Sequence, residues 1–255
     1  MGSRGFDANE EPIHRVVIPE PFWMAETPVT QAQFAVWTQQ AGIKHRNYHR
    51  DSGDLPAESM SWYQANDFCM WLTDNFKNAI PNVTLFATLP CEAHWEYACR
   101  GNAVTEYHSG DGAAALKDVG WYYGNSDTST HVVATLKGPN AANRFGLYDM
   151  HGNVREWCSD HWGESAYRHR WDGVTDQETL LLAEEFGPTE SYGEPEHRVM
   201  RGASDWGSAL GSRSACRSEY EAGGRDWLIG FRVCLVRSPF GQTSAAEPER
   251  TAWPR

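Results

Sequence analysis

The clearest helix-forming patterns of the sequence all lie within its first 101 residues. Thr30 and Ser61 each stand three residues before a glutamine, the capping-box arrangement that opens a helix. The first predicted helix runs to about Gln40, and the second carries apolar residues at helical spacing over 65–72. After residue 102 no long helical pattern occurs before 176–185. A chain of this kind must build most of its second half from short strands and loops.

A third helix and three short strands complete the predicted elements. The helix spans 91–100, follows Pro90 and ends at Gly101, which suits a left-handed helix end. Strand-like segments occur at 14–18, 22–24 and 231–236.

The composition fits short elements joined by long ordered loops. The chain has 12 Trp, 10 Tyr and 10 Phe together with 23 Gly and 13 Pro spread along its length. Large aromatic side chains can fix loops that have no secondary structure of their own. The polar segment 163–197 is predicted to be a surface insertion, and 241–255 a disordered tail.

Charge argues against several classes of partner. The chain has 22 basic and 34 acidic residues, a net charge of −12. Such a surface disfavours nucleic-acid phosphates and anionic membranes. No apolar run reaches the length of a membrane span, and the first residues do not resemble an export signal. We therefore expect a cytoplasmic protein that binds neither nucleic acid nor membrane.

The six cysteines are too sparse for a disulfide scaffold in 255 residues, and none forms a CxxC pair. Buried free thiols are the favoured interpretation, and one or two disulfides are the alternative.

Five segments, in order, resemble the formylglycine-generating (sulfatase-modifying factor) family. They are AETPVTQAQF at 25–34, LPAESMSWYQANDFCMWL at 55–72, TLPCEAHWEYACRG at 88–101, NRFGLYDMHGNVREWCSD at 143–160, and the segments of 198–233 that contain RVMRGASDW, RSACRSEY and IGFRV. The resemblance implies an α+β fold similar to C-type lectins, with short helices, a small twisted antiparallel sheet and extensive ordered loops. The domain would occupy 1–240. Because the chain opens on an MGS element, either the first family strand is missing or these residues are a cloning remnant.

The resemblance also implies a calcium site in the segment 149–156. Calcium prefers six to eight oxygen ligands on a tight loop. The matching residues are Asp149 and Glu156 through their carboxylates, and Gly152 and Val154 through their carbonyls. A structural calcium ion is expected here. The alternative is that the two carboxylates only accept hydrogen bonds from the loop.

The same resemblance predicts that the copper site of the family's oxidases is absent. Those enzymes hold Cu(I) between two thiolates five residues apart, and Cu(I) prefers sulfur ligands. The matching positions are Gly207 and Ser212, and Cys216 stands alone beyond them. No copper is expected. Disulfides seen in some members would correspond to Cys99–Cys216 and, less well, to Cys69–Cys234.

Ligand binding is predicted on the loops between residues 205 and 228, where lectin-like folds present ligands. Trp and Tyr supply rigid contact area, and charged side chains orient a ligand. The candidates are Asp205, Trp206, Ser208, Glu219, Tyr220, Arg225, Asp226 and Trp227.

Three functions remain open from the sequence. The favoured one is a non-catalytic module that binds a protein or a small molecule and belongs to a larger multidomain protein or system. The second is a metal-dependent oxidase or oxygenase acting on a cysteine or another thiol. The third is a variable protein diversified by a retroelement.

Overall fold

The computed structural model describes residues 1–49, 53–77, 83–170, 172–176 and 196–237. Its helices are α1 (Gln31–Gln40), α2 (Trp62–Phe76), α3 (Glu92–Arg100) and the single turn α4 (Ala113–Leu116). Both predicted capping boxes are confirmed, at Thr30 with Gln33 and at Ser61 with Gln64. Gly101 ends α3 in the left-handed conformation, with φ 53°. The predicted helix at 176–185 lies almost wholly outside the described residues.

Within the described ranges, nine short strands form three small sheets. The strands are β1 (Val16–Val17), β2 (Phe22–Met24), β3 (Phe86–Thr88), β4 (Arg155–His161), β5 (Val174–Thr175), β6 (His197–Arg201), β7 (Arg217–Glu221), β8 (Ile229–Gly230) and β9 (Cys234–Val236). The largest sheet has the order β7-β6-β4-β8, the second β2-β9-β3, and the third pairs β1 with β5.

The sheets are less uniform than a single antiparallel sheet. β4 pairs with β6 and β6 with β7 in antiparallel register, but β4 pairs with β8 in parallel, as does β1 with β5. Parallel pairing requires a long crossover, and the loops of the second half of the chain supply it for β4 and β8.

Two apolar clusters fill the space between the helices and the sheets. The larger contains Phe34, Trp37, Phe68 and Phe231, which pack α1 and α2 against the end of the chain. The smaller surrounds Trp95 beneath α3. Buried aromatic rings therefore hold together a fold with little regular structure.

Buried ion pairs connect α3 to the largest sheet. Glu92 accepts hydrogen bonds from Arg217, and Glu96 pairs with Arg201, all with side chains at most 2% exposed. Arg201 also donates to the carbonyls of Ser214, Ala215 and Cys216, which fixes the backbone before β7.

Part of the predicted insertion packs into the domain. Ala166, Tyr167 and Val174 are buried and contribute to the core, whereas Glu164, Arg168 and His169 are exposed. Residues 177–195 of that segment and the predicted tail 241–255 lie outside the described residues. Among the described helices, none is long and apolar enough to cross a membrane.

Candidate functional site

Four aromatic side chains and one histidine, contributed by four separate loops, form a continuous patch. Trp206 lies edge-on to Trp227, with ring centroids 5.7 Å apart. Tyr123 extends the patch beyond Trp206 at 5.9 Å, and Tyr48 and His49 extend it beyond Trp227 at 5.3 and 5.6 Å. We call these five residues the aromatic surface. Trp206, Tyr123 and Tyr48 are 49%, 61% and 67% exposed.

Backbone hydrogen bonds hold the loops of the aromatic surface together. The Tyr123 N–H donates to the Gly207 carbonyl, and the Ser126 hydroxyl donates to the Asp205 carbonyl at 2.6 Å. On the other side, the Ser59 N–H donates to the Asp226 carbonyl. The exposed rings are therefore carried by a fixed framework, which lowers the entropy lost when a ligand binds.

Two buried carboxylates belong to these same loops. Asp205 is 0% exposed, and its carboxylate has no side-chain hydrogen-bond partner among the described residues, with only the N–H groups of Asp205 and Trp206 close to it. Burial, together with the charge of Glu58, raises the pKa of Asp205 to about 7. Glu58 is also buried and accepts from the His49 N–H at 2.9 Å, and burial raises its pKa. An uncompensated buried carboxylate costs stability, and such groups concentrate at functional sites.

The structure brings together only some of the predicted ligand-binding residues. Trp206 and Trp227 are in contact, and Asp205 lies directly before Trp206. Glu219 and Tyr220 lie on β7, where Glu219 pairs with His197 and Tyr220 packs against Trp157. The expectation that they belong to a loop is therefore wrong, because β7 pairs with β6 along its whole length.

The remaining candidates border the aromatic surface. Ser208 and Arg225 are exposed. Asp226 accepts a hydrogen bond from the Leu228 N–H, which shapes the loop that carries Trp227. These positions fit a polar rim around an aromatic centre.

Sequence reasoning missed Tyr48, His49, Glu58 and Tyr123. They belong to loops that are distant in the sequence from 205–228. The contacts of their rings with Trp206 and Trp227 depend on how these distant loops pack against one another. No local pattern in the sequence marks them.

Of the two carboxylates in the predicted calcium segment, Asp149 has an oxygen available to a cation, whereas Glu156 is already hydrogen-bonded. Asp149 is 3% exposed, and one of its carboxylate oxygens accepts from the Ala134 N–H while the other has no partner in the described chain. Burial raises the pKa of Asp149 to about 6. Glu156 already accepts two hydrogen bonds from Arg232 and one from Trp95. A calcium ion would satisfy Asp149 and would share Glu156 with Arg232.

The positions that match the copper ligands have other surroundings. A Cβ atom added at Gly207 would lie 2.6 Å from the Ala203 Cβ and 3.0 Å from the Ser204 carbonyl oxygen. Ser212 is buried, and its carbonyl accepts from His151 at 2.8 Å. A side chain at 207 would therefore require the backbone or Ala203 to shift.

All six cysteines are free thiols in the structure, as the favoured interpretation predicted. The suggested Cys99–Cys216 and Cys69–Cys234 bonds are not formed. Cys99 instead lies 3.8 Å from the ring nitrogens of His151, and burial raises its pKa to about 12.

Residues 1–237 match the sulfatase-modifying factor enzyme 1-like domain, and the chain belongs to this family. It is 28% identical over 253 residues to the serine/threonine-protein kinase pkn1 of Chlamydia caviae, covering 91% of this chain and 35% of that protein. The chain thus spans about a third of the length of that curated relative.

Two further comparisons bear on the fold and on the range of the family. The formylglycine-generating enzyme of Mycobacterium tuberculosis is 30% identical over 210 residues, covering 62% of this chain and 70% of that enzyme. The solved structure of Treponema denticola variable protein 1 superposes with a TM-score of 0.73 at 26% identity, covering 93% of this chain and 91% of that one. The expected family and fold class are confirmed.

Proposed function

We propose that this domain is a non-catalytic recognition module that binds a protein or a small molecule through the aromatic surface. The observation that carries the proposal is the exposure of Trp206 and its contact with Trp227 on a hydrogen-bonded framework. Exposed, rigid aromatic groups with a polar rim are typical of binding hot spots. The match to one third of a longer relative supports a module within a larger protein.

The surroundings of Gly207 support the non-catalytic part of the proposal. A two-thiolate copper site needs a cysteine at this position, and a Cβ there would collide with Ala203. Soft copper would find no substitute among oxygen ligands.

The experiment uses two tryptophans of the aromatic surface as probes, the exposed Trp206 and the half-buried Trp227. The protein is screened against a random peptide library and a metabolite collection, and the affinity of each binder is measured by calorimetry. Trp206→Ala and Trp227→Ala should weaken binding by a factor of about 30 or more, as expected for hot-spot residues. Trp23→Ala is the control, because Trp23 is 45% exposed but lies on β2.

Two outcomes would contradict the proposal. One is a set of binders whose affinities are equally insensitive to Trp206→Ala and Trp227→Ala. The other is oxygen consumption with a cysteine peptide that depends on added copper, which would support the alternative of a metal-dependent oxidase acting on a thiol.

A retroelement-diversified variable protein is a second candidate, favoured by the likeness to the Treponema denticola variable protein. A near-identical template repeat in the adjacent DNA, with adenine-specific differences confined to the codons of the loops 205–228, would establish it.

We also propose a structural calcium ion at Asp149, Gly152, Val154 and Glu156. Calcium at one hundred times its Kd should raise the free energy of unfolding by about 2.7 kcal/mol. The melting temperature should rise accordingly. Excess chelator should reverse the shift, and Asp149→Asn should abolish it. Identical melting curves with calcium and with chelator would eliminate the site.

A further inference from the structure

A cluster of three different metal-binding side chains lies at the start of α3, separate from the aromatic surface and from the calcium segment. Cys91, His94 and Asp176 each offer one ligand atom, and these three atoms all lie within 4.8 Å of one another. The His94 Nε2 atom is 2.7 Å from a carboxylate oxygen of Asp176. All three residues are at most 9% exposed.

The start of α3 fixes two of these donors. Cys91 is the N-cap residue, and its sulfur accepts a hydrogen bond from the His94 N–H at 3.4 Å. Residues three apart at a helix start share one side of the helix, so the thiol and the imidazole face the same space. Phe22 stacks on the His94 ring at 4.2 Å and holds its orientation. The third donor, Asp176, belongs to a different part of the fold and directly follows β5.

A second group of possible ligands in the described residues gives a useful contrast. Asp7, Glu10 and Cys216 also approach one another, but Arg213 donates to both carboxylate oxygens of Glu10. The guanidinium already supplies the positive charge that a metal ion would bring. That group therefore has no need of a cation.

The charged groups near Cys91 are acidic, in contrast to the arginine beside Glu10. The acidic side chains of Asp160 and Asp176 both lie close enough to act on the Cys91 thiol. Asp160 is 1% exposed, and one of its carboxylate oxygens has no hydrogen-bond partner in the described chain. Buried acidic groups around a thiol favour a cation at this place.

We propose that Cys91, His94 and Asp176 bind a zinc ion through the Cys91 thiolate, the His94 imidazole and the Asp176 carboxylate. Zinc accepts sulfur, nitrogen and oxygen ligands in a tetrahedron, and calcium or magnesium would not select the thiolate. Tetrahedral zinc places its ligand atoms roughly 3.3–3.6 Å apart. The His94 Nε2 and Asp176 oxygen atoms, which are 2.7 Å apart, would therefore separate, and the more distant donors would approach by about 1 Å through side-chain rotation.

Proton and charge balance follow from the groups that bind. On binding, Cys91 releases its thiol proton to solvent, and the His94 ring carries its proton on Nδ1 so that Nε2 can bind the metal. The side chains of His94 and Asp176 are 11% and 10% exposed, which leaves room for a water molecule as fourth ligand. The ion would fasten the chain after β5 to the start of α3.

Cobalt is the probe for this site, because tetrahedral cobalt with a thiolate ligand has a near-ultraviolet charge-transfer band and strong visible bands. The full chain is purified under reducing conditions, stripped with chelator and titrated with Co²⁺ and then with Zn²⁺. We expect one equivalent of Co²⁺ to bind with the thiolate band and Zn²⁺ to displace it.

Two conservative variants locate the metal. Cys91→Ser keeps an N-cap acceptor, since serine is a preferred N-cap residue, but removes the thiolate. Asp176→Asn keeps a side-chain oxygen that can accept a hydrogen bond from the His94 ring, but it removes the carboxylate charge. Both variants should lower the Zn²⁺ affinity on the order of 100-fold, and Cys91→Ser should also abolish the thiolate band. Cys216→Ser is the control, because it changes a cysteine of the group that Arg213 neutralises.

Each outcome of these titrations either supports or overturns the zinc site. Loss of the band in Cys91→Ser with an unchanged circular dichroism spectrum, together with an intact band in Cys216→Ser, supports the site. A wild-type protein without the thiolate band overturns the proposal. So does Zn²⁺ affinity that is unchanged in both Cys91→Ser and Asp176→Asn, or a band that disappears only in Cys216→Ser.

Discussion

The carboxylates beneath α3 and the carboxylates beneath the aromatic surface are buried to the same degree, but only the first group is paired with arginines. Glu92 and Glu96 are 0% and 1% exposed, and so are Asp205 and Glu58, both 0% exposed. Burial acts to raise the pKa of Glu96, yet the charges of Arg201 and Arg100 lower it to about 2. Without such partners, burial raises the pKa of Asp205 to about 7.

This difference separates the groups that hold the fold from those that belong to a candidate site. The arginines of the first region also hold backbone carbonyls, so the network connects α3, β6 and β7. In the second region Asp205 and Glu58 have no arginine partner among the described residues, and they belong to the loops that carry the aromatic surface. Buried carboxylates of this kind concentrate at functional sites, which supports the proposed ligand binding.

The largest expected effect comes from removing an arginine of the paired region. Arg201→Leu leaves Glu96 buried without its main counter-charge and should lower the free energy of unfolding by about 3–5 kcal/mol. Urea denaturation followed by tryptophan fluorescence measures the change. Arg144→Leu is the control, because Arg144 is exposed and its loss should change the stability by less than about 0.5 kcal/mol. Equal effects of the two substitutions would remove the distinction between the regions.

A smaller effect of the opposite sign is expected from the unpaired region. The pKa of Asp205 is about 7 in the folded chain and about 3.9 in an unfolded one, so the folded state binds more protons between these values. The free energy of unfolding therefore falls as the pH rises through this window. Asp205→Asn should remove this contribution and stabilise the protein by on the order of 1–2 kcal/mol above pH 7.

The measurement for Asp205 is a pair of stability curves between pH 4 and pH 8. The two proteins should have similar stability near pH 4, and the variant should be the more stable at pH 8. Asp149 and Asp160 also have pKa values raised to about 6, so some pH dependence should persist in the variant. A variant that is less stable than the wild type at pH 8 would show that Asp205 is compensated after all.

The smallest effect on stability should come from the aromatic surface itself. Trp206 is about half exposed and makes no side-chain hydrogen bond that is seen in the described chain, so Trp206→Ala should cost less than about 1 kcal/mol. Trp95→Ala is the comparison within the core, where a fully buried ring that donates to Glu156 should cost about 3–5 kcal/mol. Thermal and urea melts of both variants test this contrast. A large loss in Trp206→Ala would make Trp206 an anchor of the fold.

Local patterns predicted the helices well because their start signals are short and self-contained. The hydroxyls of Thr30 and Ser61 satisfy N–H groups three residues away, and Gly101 adopts a conformation that few other residues tolerate. The sheets were predicted less well. The likeness to lectin-like folds places the residues of β7 in a ligand loop, whereas they form a strand whose pairing depends on β6.

The candidate sites show the same division. Trp206, Trp227 and the residues 149–156 could be named from the sequence, because the ligand loops and the calcium segment are each continuous in it. Tyr48, His49 and Tyr123 could not, because their contacts depend on how distant loops pack. Asp176 could not either, since 82 residues separate it from His94.

By itself the sequence determined the family, the positions of α1 to α3 and the absence of a cysteine at 207 and 212, because each of these depends on residues close together in the chain. Only the tertiary structure decided which buried carboxylates have arginine partners and which aromatic rings share a surface. Those outcomes are set by contacts between segments that are far apart in sequence, and burial turns each contact, or its lack, into a shift in charge and stability.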